Sequence, residues 1–349
     1  MVQVRVMKWH LITICAVLIA GGGLLYYALG YRTYERADYD DHVPPSAASN
    51  FVVFGDMQGG SHRTPISPSF SVVVDEVNQT DAPMAFILGD LYFDSTDDEH
   101  QAEYAGAFLD EVANLNVPWY PVMGNHEAEH GGWTVVQDRI FEGRNTYYSF
   151  DTDIAHFIVL DAYMPDAWGT ISEEQLDWLA EDLGVTAQSH IFVFLHPPLY
   201  PVGHHYGTSL DADPVLRDRV ADLFVQHGVD IIFCGHEHFY ASFGYRGMMQ
   251  ITSGGAGATL HSCGQEFHEL EEAFDEIDQE STDKEEALHA LQEAFDEIEE
   301  DYGYTSHEIT RFSSAEELHY VLVELSANQI DVSAYNIEGE LIDQFALQS

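Results

Sequence analysis

Five short motifs hold the residues best suited to chemistry: Gly55-Asp56-Met57-Gln58, Gly89-Asp90, Gly124-Asn125-His126-Glu127, His196-Pro197-Pro198 and Gly235-His236-Glu237-His238. Each follows an apolar run that reads as a strand. A single Gly-Asp after a strand is usually only a turn, and a single histidine is usually a satisfied core residue. Five such motifs carry a different weight, because the carboxyl ends of strands in an open α/β sheet converge on one crevice. Together they supply carboxylates, imidazoles and amide oxygens, the donors that divalent ions take. A carboxylate such as Asp90 is able to bridge two ions. Two ions roughly 3.5–4 Å apart orient a phosphate, neutralise its charge and generate a hydroxide nucleophile near neutral pH. The chain has neither a Gly-x-Ser-x-Gly nucleophile turn nor a phosphate-cradling Gly-rich loop, in agreement with chemistry that needs no serine or cysteine.

The elements that must position these motifs follow from the hydropathy pattern. Buried strands are expected at Phe51–Phe54, Met84–Leu88, Trp119–Val122, Ala155–Leu160, His190–Leu195, Asp230–Phe233 and Met248–Ile251, with helical periodicity over 68–79, 99–114, 172–183 and 213–227. This alternation predicts a layered α/β core. Near the C-terminus His319–Leu325, Gln329–Tyr335 and Leu341–Leu347 are separated by turns at Ala327-Asn328 and Glu338-Gly339. They predict an antiparallel meander, so the sheets should be mixed. Between core and meander, EEAFDEID at 271–278 recurs as QEAFDEIE at 292–299. The apolar spacing there predicts two amphipathic helices, an acidic helical hairpin inserted at 265–303. It reads equally as a solvated flap, a lid or a surface for self-association.

The chain has 349 residues, with 60 acidic and 12 basic side chains and a formal net charge of −48. Only Lys8 and Lys284 are lysines. The segment 265–301 holds 17 of the acids, so the excess covers the whole chain. No basic stripe exists to meet phosphates, which excludes nucleic acid as a partner and argues against docking on anionic lipid. Acid this widespread suits a halophilic setting, where the Debye length shrinks to roughly 3 Å at 1 M salt and self-repulsion is screened. Apolar residues at 46% still provide a large core. The cysteines at 15, 234 and 263 match no zinc spacing and read as free thiols.

Leu11–Tyr31 is uncharged over 21 residues, about 31 Å as a helix, which is enough to cross a bilayer. Residues 1–31 therefore read as an N-terminal transmembrane anchor, 32–49 as a polar linker and 50–349 as the folded domain. The location expected is membrane-anchored and extracytoplasmic, or secreted if the segment is a cleaved signal peptide.

In order and spacing the motifs resemble the calcineurin-like metallophosphoesterase family across Asn50–Gly257 and the final strands. VPWYPVMGNHE at 117–127, YYSFDTDIAHFIVLD at 147–161, QLDWLAEDL at 175–183 and GHEHFY at 235–240 resemble its purple acid phosphatase branch more narrowly. The resemblance implies a four-layer α/β/β/α sandwich and a dinuclear centre of Mn, Fe, Mg or Zn ions. It implies Asp56, Gln58, Asp90 and His238 around one ion, and Asp90, Asn125, His196 and His236 around the other. It gives His126 the role of general acid or charge stabiliser, with Glu127 orienting it. His204 and His205 would contact substrate, as would Arg63, although both loops also read as plain surface. Two positions depart from the pattern. Gln58 replaces the usual histidine or glycine with a harder amide oxygen. Phe93 stands where the purple branch has a tyrosine ligand, with Tyr92 one residue early, so no tyrosinate–iron colour is expected. The function implied is hydrolysis of a small phosphate ester, a monoester before a diester. The alternative of another class is a surface-anchored binding protein on the same scaffold.

Overall fold

The computed structural model describes residues 50–94, 98–278 and 284–348. The expected membrane span and linker lie outside these residues, as does Cys15. Among the described residues no helix is long and apolar enough to cross a membrane.

Among the described residues thirteen strands build the two large sheets. In chain order they are β1 (Phe51–Phe54), β2 (Ala85–Ile87), β3 (Trp119–Pro121), β4 (Tyr148–Asp151), β5 (Ala155–Val159), β6 (His190–Leu195), β7 (Ile231–Cys234), β8 (Tyr240–Tyr245), β9 (Met248–Ser253), β10 (Ile309–Ala315), β11 (His319–Ser326), β12 (Gln329–Asn336) and β13 (Leu341–Gln348). The first sheet runs β13-β12-β11-β1-β2-β3 and the second β10-β8-β9-β7-β6-β5-β4. β1, β2 and β3 are parallel, and β11 joins β1 antiparallel to start the meander. In the second sheet β5, β6, β7 and β9 are parallel, flanked by antiparallel β4 and β8. Both sheets are mixed, as the pattern of buried runs followed by a C-terminal meander predicts. β6 is buried at every residue, as a central parallel strand covered on both faces must be.

The sheets pack face to face through phenylalanines. The Phe51 ring meets Phe157 and Phe192 at 5.4 and 5.0 Å, and Phe86 stacks on Phe194 at 3.8 Å. Rings of this size fill the space between sheets and hold their strand ends at one height. Eight helices follow the strands: α1 (Phe70–Val77), α2 (Asp98–Val112), the single turn α3 (Asn125–Ala128), α4 (Gly132–Arg139), α5 (Glu173–Val185), α6 (Pro214–His227), α7 (Gln265–Asp278) and α8 (Lys284–Asp301). Asp213 caps α6 by accepting from the amides of Val215 and Leu216, and Gly228 ends it with a left-handed φ of 69°. Helix α7 seats Phe267 against Phe243 of β8 and Phe312 of β10, and packs on α8 through Phe274 and Phe295. Leu288 of α8 stays exposed.

The sequence pattern missed β4, β8, β10 and the two-stranded ribbon Gln58–Ser61 with Thr64–Ile66. β4 and the ribbon strands are at most four residues long, and β8 (YASFGY) and β10 (ITRFSSA) are interrupted by Ser, Gly or Arg, so none shows the apolar run or clean alternation that marks a strand.

Candidate metal centre

All five motifs lie on the loops that leave β1, β2, β3, β6 and β7, at the same edge of the two facing sheets. Backbone bonds tie the loops together: the Asp56 amide donates to Gly89 O, and the Gly235 amide to His196 O. The two sheets are joined at this edge. The His236 amide donates to both Asp56 oxygens, at 3.0 and 3.1 Å, and His196 Nδ1 lies 2.6 Å from Leu88 O. Glycines permit the approach. A Cβ on Gly89, whose φ is +89°, would sit 2.7 Å from Gly124 N, and one on Gly124 would sit 2.2 Å from Asp90 N.

The backbone at this edge is strained. Among the described residues, six other than glycine have positive φ, and three of them are Asp56 (63°), Asp90 (51°) and His236 (70°). Such conformations cost on the order of 1–3 kcal/mol each and persist where surrounding structure holds them, commonly at functional sites.

Two clusters of side chains result. Asp90, His196 and His236 present ligand atoms within 4.8 Å of one another, and so do Asp56, Asp90 and His238. Asp90 belongs to both. Asn125 joins the first cluster, with Oδ1 3.1 Å from His196 Nε2. Gln58 joins the second, with Nε2 3.2 Å from Asp90 Oδ2 and 3.1 Å from His238 Nε2. Ring orientation is set from behind. His196 Nδ1 faces Leu88 O and His238 Nδ1 faces Thr259 O at 2.8 Å, so each donates there and turns Nε2 toward the cluster, the atom that would take an ion in place of a proton.

The donor set fits divalent cations. Asp56, Asp90 and Glu127 are at most 1% exposed, and the main charged neighbours acting on Asp56 and Asp90 are histidines and acids rather than lysine or arginine. Burying several carboxylates without cations is costly. The acids share the histidines' protons instead. Burial opposes a charged His196, yet Asp90 and Asp56 outweigh it and push the imidazole up to about 10. Burial likewise opposes the Asp90 anion, but His196 and His126 hold its carboxyl well below the usual range. Asp56 is raised by burial and by Asp90, and Glu127 goes up to about 7 for the same reasons. His236 is lowered by burial and by His196, and His238 goes down to about 4 through burial and His261. Gln58 Oε1 is buried without a hydrogen-bond partner. The two ends of an amide have the same shape, so a half-turn of the Gln58 amide places Oε1 in the second cluster with no other atom displaced.

His126 stands at the mouth, its side chain 27% exposed, with Nε2 3.7 Å from Asp90 Oδ2 and Nδ1 3.7 Å from Asp94 Oδ1. Its amide donates to Asp90 Oδ1. Among the described residues Glu127 forms no hydrogen bond with the His126 ring. The Glu127 carboxylate turns back onto the first turn of α3 and accepts from the amides of Gly124 (2.7 Å) and Leu91 (3.2 Å), clamping the β2 and β3 loops to each other. Arg63 lies exposed in the turn between the ribbon strands, and no contact among the described residues brings it to either cluster. Phe93 lies near His126, with ring centroids 6.4 Å apart, while the Tyr92 hydroxyl is buried without a partner.

A pocket of about 380 Å³ opens over the first cluster, lined by Asn125, Tyr163, Trp168, His205, Ser209 and His236 among others. His205 stacks on His236 at 3.8 Å, and burial, then His204, lowers it to about 3. His204 is exposed beside it. A larger groove of about 550 Å³ between α5 and α6 contains none of the motif residues. Tyr163, Trp168 and His261 escaped sequence reasoning because no motif carries them. Glu237 stood inside a motif without a role. Its buried carboxylate accepts from the amides of Val202 and His205, at 3.0 and 3.3 Å, and so holds the His204-His205 loop.

The family model for calcineurin-like phosphoesterases matches residues 49–240, more than half of the chain. The chain belongs to that family. This phosphoesterase is 28% identical over 189 residues to purple acid phosphatase 21 of Arabidopsis thaliana, covering 49% of this chain and 41% of that protein. It is 28% identical over 156 residues to the human serine/threonine-protein phosphatase CPPED1, covering 41% of this chain and 49% of that one. The chain thus spans about half or less of the length of these relatives. Among solved structures, the purple acid phosphatase PPD1 of yellow lupin (Lupinus luteus) superposes with a TM-score of 0.63 at 17% identity, over 87% of this chain and 55% of that one. A dimetal phosphatase of Danio rerio gives 0.55 at 14% identity, over 88% of this chain and 99% of that one. At such identities the two structures show the shared α/β fold alone. The family depends on a dinuclear metal centre, which the two clusters sharing Asp90 match in donor type.

Proposed function

We propose that this phosphoesterase hydrolyses small phosphate monoesters at a dinuclear centre. Asp56, Gln58, Asp90 and His238 hold one ion, and Asp90, Asn125, His196 and His236 hold the other. The observation that carries the reading is the place of Asp90 in both clusters, with one oxygen 3.3 Å from His196 Nε2 and the other 3.2 Å from Gln58 Nε2. When bound, the two ions supply Lewis acidity toward a phosphate oxygen and lower the pKa of water. The chain's own residues do the rest. Asp90 and Asp56 bring the negative charge that retains the ions. Leu88 O and Thr259 O fix the tautomers of His196 and His238. His126, at the mouth with Nε2 3.7 Å from Asp90 Oδ2, is placed to deliver a proton to the leaving oxygen. The pocket walls of Tyr163 and half-exposed Trp168 suit a compact organic leaving group. The amide oxygen of Gln58, harder than imidazole, supports Mn²⁺, Mg²⁺ or Fe²⁺ over Zn²⁺ in the second cluster.

Metal analysis with p-nitrophenyl phosphate and bis-p-nitrophenyl phosphate assays in high salt tests this. With Mg²⁺ as the only added metal, two ions per chain and faster turnover of the monoester are expected, with activity abolished in Asp90→Asn. Two bound ions with neither ester hydrolysed would overturn the reading in favour of a binding protein. The uncharged Leu11–Tyr31 stretch supports an anchored, extracytoplasmic location, and recovery of the chain free in the medium counts against it.

A further inference from the structure

Five imidazoles line one side of the centre in continuous contact. His236 stacks on His205 at 3.8 Å, His205 meets His204 at 4.9 Å, His204 meets His261 at 4.6 Å, and His261 stacks on His238 at 4.0 Å. His236 and His238 belong to the dinuclear clusters. The other three do not, and they form a group of their own: each of His204, His205 and His261 offers a ring nitrogen, all within 4.8 Å of one another.

We propose that His204, His205 and His261 form a third ion site at the rim of the centre, for a divalent transition ion of the Zn²⁺ type. Bonds of about 2.0–2.1 Å to imidazole nitrogen place the nitrogens of a tetrahedral site roughly 3.4 Å apart. The exposed His204 ring needs only a side-chain rotation to close from the present spacing. Three neutral imidazoles with no carboxylate among them select Zn²⁺, Cu²⁺ or Ni²⁺ and offer little to Mg²⁺ or Ca²⁺.

Three observations separate this group from ordinary surface histidines. First, Nδ1 of His261 is buried and has no hydrogen-bond partner, a vacancy that costs free energy unless something fills it. Second, the chain carries 60 acids, yet among the described residues none of the three rings forms an ion pair, whereas His126, His130, His156 and His268 all have carboxylates within 4 Å. Third, the backbone is held on both sides. Glu237 grips the amides of Val202 and His205. The Gly264 amide donates to Val202 O, and the His261 amide to His238 O at 3.0 Å. Gly203 and Cys263 form a β-bridge. The two ring-bearing loops are thus one preorganised unit, the arrangement a metal site requires.

The site shares no ligand with the two ions of the proposed centre, and the test keeps them apart. Full-length protein is dialysed against Zn²⁺ and the ions per chain are counted by mass spectrometry. Three are expected for the unaltered protein and two for both His204→Gln and His261→Gln. Asp90→Asn, which dismantles the dinuclear centre, should still hold one Zn²⁺, lost when His204→Gln is added. Two ions in the unaltered protein, three in His204→Gln, or a count below two in His204→Gln would each overturn the third site. Fewer than two in the unaltered protein, with one ion kept by Asp90→Asn, would instead overturn the dinuclear reading.

Discussion

His319 makes the folded state sensitive to acid, and the size of the effect follows from its surroundings. The side chain is fully buried at the start of β11. Nδ1 donates to Glu317 O at 2.7 Å, Nε2 has no partner, and the ring meets Tyr240 edge-on at 5.6 Å. A Cβ on Gly255 would lie 2.2 Å from Nδ1, so the Gly255 backbone packs directly against the ring. Burial pushes the imidazole down to about 4, against the pull of the Glu317 carbonyl. An unfolded histidine titrates near 6.5. Between these values the unfolded chain binds the extra proton, so this contribution is intact above pH 6.5 and is lost as pH falls toward 4. For a folded pKa of about 4 the loss amounts to about 2 kcal/mol at pH 5 and about 3 kcal/mol once both states are protonated. The perturbation is His319→Asn, whose amide still donates to Glu317 O but does not titrate. Urea unfolding at pH 8 and pH 5, at one fixed salt concentration, gives the comparison. At pH 8 the variant should be less stable by about 1 kcal/mol for the volume removed. At pH 5 the unaltered protein should have lost about 2 kcal/mol relative to the variant, closing or reversing the gap. A stability difference that is equal at the two pH values would refute the reasoning, because His319 would then be hydrated or charged in the fold.

Two further expectations concern the centre. His126→Gln should lower turnover of p-nitrophenyl phosphate by about 100-fold, the usual contribution of a general acid, with two ions per chain retained in metal analysis. Gly124→Ala replaces no ligand, but its Cβ would press on the proposed bridging ligand, meeting Asp90 N at 2.2 Å and Asp90 Oδ1 at 2.5 Å. It should therefore displace the β3 loop, reduce bound metal and lower the melting temperature, and unchanged metal content and activity would show that the loop yields freely.

Much of this was legible before folding. The buried parallel strands announce themselves as unbroken apolar runs, because both of their faces are covered. The short motifs after them stand out because a strand end that must turn and present a ligand leaves little freedom in residue type, so Asp56, Asp90, Asn125, His196, His236 and His238 could be named by position. Strands β4, β8 and β10 were not legible, since β4 is only four residues long and Ser, Gly or Arg interrupt the apolar pattern of the other two. Nor was the true role of Glu127: its place beside His126 suggested an orienting partner, while the geometry of α3 turns its carboxylate back to the Gly124 and Leu91 amides. Arg63 looked close to the first motif in sequence, but the ribbon turn holds it in solvent.

The sequence by itself determined which side chains are available, their order and the strands that carry them, because periodicity and turn chemistry are local properties. Only the tertiary structure decided which nitrogen of His196 and His238 faces the side-chain clusters, since Leu88 O and Thr259 O lie 108 and 21 residues away from them. It alone brought His261 against His204 and gave Glu237 a loop to hold. Contacts of that kind arise where two sheets meet through a shared phenylalanine core, and no spacing within one strand or loop encodes the distance between them.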